Sequence, residues 1–165
     1  MKLQPLFEWV QQTPIAVTIR SSAALIATVE GVHLVGLALL LGTILMVDMS
    51  LLGRGIRGMS TSDIARALRR WTVAGLVVML ISGPLMFTSE AFRCYKTPAF
   101  WVKMSLLVVA LVFHFSVHQR TALAEPPDAP WRSRLVGAAS LALWTSIALA
   151  AKAIAIFPGN TEGRF

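Results

Sequence analysis

The sequence predicts an all-α integral membrane protein, a four-helix antiparallel up-and-down bundle with a short N-terminal interfacial helix. Three observations carry this. The chain is 56% hydrophobic and only 14% charged, with a mean hydropathy of +0.68, too apolar for an ordinary soluble domain. Its apolar residues gather in long blocks instead of short amphipathic periods. Four of these blocks reach the roughly 20 residues that a helix needs to cross about 30 Å of hydrocarbon. The length of 165 residues suits one membrane domain over 1–165.

The elements follow in order. Residues 1–22 start with MKLQPLFEWVQQTP, which has no compact apolar core before a small-residue cleavage site and so does not read as a signal peptide. Leu6, Phe7, Trp9 and Val10 can share one helical face, which predicts a short helix lying on the membrane. Thr13 and Pro14 then open the next helix. The spans are expected at about 23–47, 71–89, 100–117 and 135–157. Trp71, Trp101 and Trp131 fall beside span ends, where an aromatic ring with one polar edge favours the headgroup layer. Before the second span, Ser60 followed by Asp63 forms a capping box with Asp in place of Glu, starting a helix through IARALRR.

Charge orients the bundle. Arg54, Arg57, Arg66, Arg69 and Arg70 lie between spans one and two, and Arg120, Arg132 and Arg134 between spans three and four. The other side carries fewer: Lys2, Arg20, Arg93, Lys96 and Arg164. The positive-inside rule puts the two basic loops in the cytoplasm and both termini on the opposite, periplasmic side. The excess of 15 Lys and Arg over 8 Asp and Glu therefore bears on topology and not on nucleic acid, which is excluded as a partner. Cys94 is the single cysteine, so no intrachain disulfide and no cysteine-based zinc or iron-sulfur site is possible.

Small residues mark where helices can approach: Gly31, Gly36 and Gly42 on span one, Gly75, Ser82 and Gly83 on span two, and Gly137 to Ser140 on span four. Pro84 is expected to kink span two and free a carbonyl.

Chemistry must come from the few polar groups at depth, because ionisable side chains are costly there and normally face the bundle interior. These are Glu30 and His33 on span one, Lys103, His114 and His118 on span three, and Lys152 on span four. At 1.5 Å per residue His33 is expected roughly 15 Å from the start of its span and His114 roughly 21 Å, nearly one level. Two imidazoles so placed suit bis-histidine ligation of a b-type haem. Glu30, one turn from His33, can orient that ring or pair with Lys103 or Lys152. The two lysines either snorkel to the interface or, with Arg20, hold haem propionates or another anionic headgroup. His118 lies at i+4 from His114, so the pair HFSVH can alternatively clamp copper or zinc. The single Glu-x-x-His motif has no second copy and no further mid-span carboxylate, which excludes a di-iron bundle.

The succession TPIAVTIRSS, VEGVHLVGLALLLGTILMVDMSLLG, SGPLMFTSEAF, KTPAFWVKMSLL and the pair Phe113-His114 resembles a family of small bacterial four-helix membrane proteins of unknown function. The resemblance runs over most of the chain and is most specific around His33, Gly36, Gly42-Thr43, Asp48 and Phe113-His114. It implies the fold and a bacterial inner-membrane location but no activity. More distantly the chain is similar in architecture and histidine placement to the membrane domain of copper-resistance protein D and to cytochrome-b-like bundles.

The expected function is a haem b electron-transfer component bound by His33 and His114, exchanging electrons between quinone and a partner redox protein. Two alternatives stand beside it. One is a structural or accessory subunit of a larger membrane complex, its histidines hydrogen-bonding across helices. The other is a copper-handling protein using His114, His118 and Met79 or Met86. No nucleophile-base pair, phosphate loop or hydrolytic metal motif points to a self-contained enzyme.

Overall fold

The computed structural model describes residues 4–124 and 130–156. The helices are α1 (Gln4–Gln11), α2 (Pro14–Arg20), α3 (Ala23–Leu51), α4 (Thr61–Ser89), α5 (Ala91–Lys96), α6 (Pro98–Phe113), α7 (Gln119–Leu123) and α8 (Pro130–Ile156). A π-helical turn over His114–His118 joins α6 to α7, so that 98–123 forms one continuous rod. Among the described residues there is no strand. The chain is a multi-pass, all-α bundle, with four helical segments long and apolar enough to cross a membrane: Ala23–Leu51, Thr61–Ser89, Pro98–Leu123 and Trp131–Ile154.

The chain's punctuation is local. Ser22 caps α3 by accepting from the Leu25 amide. At the other end of α3, Gly53 takes φ +80° and its amide reaches Ser50 O, while the Arg54 amide reaches Met49 O, a Schellman closure that needs the left-handed conformation only glycine adopts at no steric cost. The predicted start of α4 is present: Ser60 accepts from the Asp63 amide and donates to its carboxylate. Each span is longer than the hydropathy suggests, because α4 begins ten residues before Trp71 and the third rod extends to Leu123. Helicity continues through Pro84. The predicted end of span four at residue 157 lies outside the described residues.

Packing runs α4 on α3, α3 on α8 and α8 on α6, and α7 closes back on α4. Two glycines set the first contact. A Cβ at Gly75 would stand 2.7 Å from the Leu40 amide nitrogen, and one at Gly36 would stand 2.6 Å from Val78 Cγ1. Gly31 and Gly42 instead face open space, so their expected role in helix approach is not met. Leu40, Ile44, Ala110, Trp144 and Ile147 form one core cluster, and Val47, Leu51, Ile64 and Ala122 a second nearer the basic loops.

At the opposite end, α1, α2 and α5 form a cap. Phe7 is buried there against Phe87, Tyr95 and Trp101 at ring-centroid distances of 5.6, 4.9 and 6.0 Å. Gln11 accepts from the Phe92 amide, and its own carbonyl accepts from Arg20. Of the predicted membrane-facing stripe, Leu6 and Trp9 are exposed while Phe7 turns inward.

Candidate functional site: a buried aspartate and two histidines

Asp48 stands in the last turn of α3, and His118 ends the π turn opposite it. His118 Nε2 lies 2.6 Å from Asp48 Oδ1, with the two side chains 2% and 0% exposed. A carboxylate oxygen can only accept unless protonated, so one proton is shared along this line. His114 stacks on His118, with centroids 5.0 Å apart and rings 25° from parallel. Four buried polar atoms here lack a hydrogen-bond partner: Asp48 Oδ2, Ser140 Oγ, His114 Nδ1 and His118 Nδ1. Ser140 stands close enough to Asp48 to act on its carboxylate but makes no hydrogen bond of good geometry with it. Buried polar atoms in proteins are nearly always satisfied, by water where no side chain serves, so these four atoms are the open hydrogen-bonding positions of the cluster.

The local sequence explains the placement. The π turn carries one residue more per turn than an α-helix tolerates, a feature concentrated at functional sites. Gly137 lets α8 approach closely, since a Cβ there would stand 3.0 Å from Asp48 O. That approach brings Ser140, one turn further along α8, to the carboxylate. Beside His114 lies a cavity of about 10 Å³ lined by Leu40, Ile44, Thr72, Leu76 and Trp144, roughly the room for a single water. Thr72 donates to Thr43 at 3.0 Å across its wall.

His33 belongs to a different place. Its Nδ1 lies 2.8 Å from Ser82 Oγ on α4. Ser82 Oγ also lies 2.6 Å from Val78 O. When its proton goes there, its oxygen accepts from His33 Nδ1–H, and Nε2 keeps its lone pair. Lys103 is close enough for its charge to act on the ring. Glu30 is exposed and makes no hydrogen bond or ion pair among the described residues; Ser82 does the orienting expected of it. Lys152 is likewise exposed and unpaired among them.

The Asp48–His118 contact also sets the relative height of α3 and α6. Fifteen residues back along either helix stand His33 and Lys103, each about 22 Å away at 1.5 Å per residue. His114 lies four residues from His118, about 6 Å, so His33 and His114 differ in height by roughly 16 Å. The expectation of one level assumed that both spans start together, whereas α3 protrudes further into the cap. Two imidazole nitrogens on one iron are about 4 Å apart, twice a metal–nitrogen bond of about 2 Å. With that separation and the small cavity beside His114, these residues do not fit a haem ligated by His33 and His114. Among the described residues no three His, Cys, Asp or Glu side chains converge as a metal site, and His114 and His118 stack instead of aiming at a common point.

Asp48, Ser82 and Ser140 are the groups of the two polar clusters that the sequence disclosed least. Asp48 stands one residue beyond the hydropathy-defined span, and the two serines read only as small residues. The signal for Asp48 is the apolar continuation Met49 to Leu52, which keeps the carboxylate inside the helix.

No curated protein and no solved structure matches the chain, so the architectural likeness to copper-resistance protein D and cytochrome-b-like bundles finds no support there. A model of a family of unknown function, DUF6644, matches residues 6–157, nearly the whole of the described bundle. The chain belongs to the DUF6644 family.

Proposed function

We propose that this protein is a proton-handling membrane bundle, and that Asp48, His118 and His114 are its working groups. The observation that carries this reading is the fully buried Asp48–His118 contact at 2.6 Å, in which each partner keeps one unsatisfied polar atom and beside which His114 Nδ1 and Ser140 Oγ are two more. Ionisable groups inside spans are costly and mark proton relays and substrate pathways. A buried pair avoids net charge when it holds two protons in all, either as carboxylate and imidazolium or as carboxylic acid and neutral imidazole. In both forms His118 Nδ1 carries a proton with no protein acceptor. His114 Nδ1, on the stacked neighbouring ring, is a second orphaned nitrogen, and a water joining the two would complete a path toward the cavity beside Trp144. The basic loops at this end of the bundle support a cytoplasmic mouth, with both termini periplasmic.

Hydrogen bonding across helices also favours a second reading, an accessory subunit of a larger membrane complex that supplies this proton path to its partner. Both His33–Ser82 and His118–Asp48 tie separate helices. Infrared difference spectra of the purified protein across a pH titration test the primary reading. A carboxyl band that responds to pH, disappears in Asp48→Asn and shifts in His114→Ala supports it. A spectrum identical in wild type and Asp48→Asn rejects it. An absorption spectrum of the same haem-replete sample checks the electron-transfer expectation, since a Soret band lost in His33→Ala would restore haem chemistry.

A further inference from the structure

The second polar site, around His33, lies about 22 Å from the first along the bundle and has no task in proton handling there. Its geometry is specific. Ser82 Oγ holds the Nδ1 side of His33, and with the Ser82 proton on Val78 O the ring is the Nδ1–H tautomer, whose Nε2 lone pair makes no hydrogen bond among the described residues. Lys103 stands at the same height, half-buried in an apolar span, and makes no ion pair or hydrogen bond among the described residues. Gly83 leaves room next to the ring: even an added Cβ would stay 3.6 Å from His33 Cε1. One acceptor and one cationic donor therefore share a level of the hydrocarbon with neither satisfied. An imidazole acceptor and an ammonium at the depth of hydrocarbon, neither hydrogen-bonded, are each unfavourable, and both are relieved by one ligand bearing a hydroxyl donor and an oxygen acceptor on an apolar body.

We propose that His33 and Lys103 bind the head group of a lipid-soluble quinol, one hydroxyl donating to His33 Nε2 and the opposite oxygen accepting from the Lys103 ammonium. A phenolic ring offers both groups on a flat, membrane-soluble frame. A fatty acid or lipid phosphate would satisfy Lys103 but gives the imidazole lone pair nothing when ionised. A ligand with a single carbonyl would do the same. The assignment concerns binding only and is independent of the proton-handling reading of Asp48.

The test uses the full chain in lipid nanodiscs. Decylubiquinol, kept reduced, is titrated while tryptophan fluorescence is followed; Trp101 lies two residues from Lys103. Saturable quenching is expected, weakened about tenfold in His33→Leu and in Lys103→Met, the loss of one hydrogen bond each. The dimethyl ether of the same quinol keeps the ring and tail, removes both hydroxyl protons and adds a methyl at each oxygen, and it is expected to bind the wild-type protein at least about tenfold more weakly. That ligand-side comparison requires no variant to fold. Equal binding of quinol and diether, or no saturable binding of the quinol, overturns the proposal. So does oleate that binds as tightly as the quinol and depends on Lys103 but not on His33, which would make the site an anion site.

Discussion

Asp48 and His118 meet across two helices that are 70 residues apart in sequence, and neither side chain reaches solvent. The contact joins the α3 segment around Val47 to the third rod, beside the cluster of Val47, Leu51, Ile64 and Ala122. Removing one partner of a buried charged pair commonly costs about 3–5 kcal/mol, because the other is left uncompensated. Asp48→Leu is expected to lose that amount in detergent unfolding. The double variant Asp48→Leu/His118→Leu is expected to recover most of it, and additive losses in the two single variants would show that the contact carries no coupling.

Close backbone approach gives a cleaner contrast. Gly75→Ala forces a methyl to 2.7 Å from the Leu40 amide, and overpacking of this kind costs about 1–3 kcal/mol. Gly42→Ala places the same methyl where nothing lies within 4 Å. It is expected to be neutral or to stabilise by up to about 1 kcal/mol through helix propensity. Thermal unfolding of the two variants side by side checks both signs.

The cap depends on Phe7. Replacing a buried aromatic by Ala costs about 3–5 kcal/mol where the site cannot collapse, and Phe7→Ala is expected to release α1 from the Phe87, Tyr95 and Trp101 rings. Trp9, which is 65% exposed, is the control: Trp9→Ala should leave the cap in place. Limited proteolysis near Gln12 reads the difference directly.

Cys94 supplies a pH-dependent check of the same cap. Burial raises its thiol above the ordinary range, and the neighbouring Glu90 carboxylate adds to the shift. Less thiolate is then present at neutral pH, so maleimide labelling is expected to be slow at pH 7 and to accelerate as pH rises. Phe7→Ala should speed it, and Glu90→Gln should do so more weakly. Labelling as fast as that of a free thiol would show that the cap does not close over Cys94.

Much of the fold was legible because the relevant signals are local. Hydropathy disclosed the four spans, and Ser60 with Asp63 announced the true beginning of α4 although the apolar run starts ten residues later at Trp71. The relative height of spans was not legible. It depends on how far α3 rises into the cap formed by α1, α2 and α5, a long-range property with no trace in the composition of Ala23–Leu51. His33 and His114 were therefore singled out for their chemistry but placed at one level that their helices do not share, and Lys103, read as an interfacial lysine or a holder of an anionic headgroup, stands at the height of His33. The site itself was half visible: His114 and His118 were chosen for their chemistry, while their partner Asp48 stood just past the boundary drawn by hydropathy.

The π turn at His114–His118 makes helix winding itself part of the site. A π turn absorbs one extra residue while what lies beyond it keeps its face; regular α-winding of the same residues would instead turn everything beyond them by about 100°, the step of one residue. His118 would then swing away from Asp48 with every functional side chain still present, whereas deleting one residue at Phe115, Ser116 or Val117 lets a regular helix bring His118 back to the same face. The winding of this turn therefore matters to the site as much as its letters.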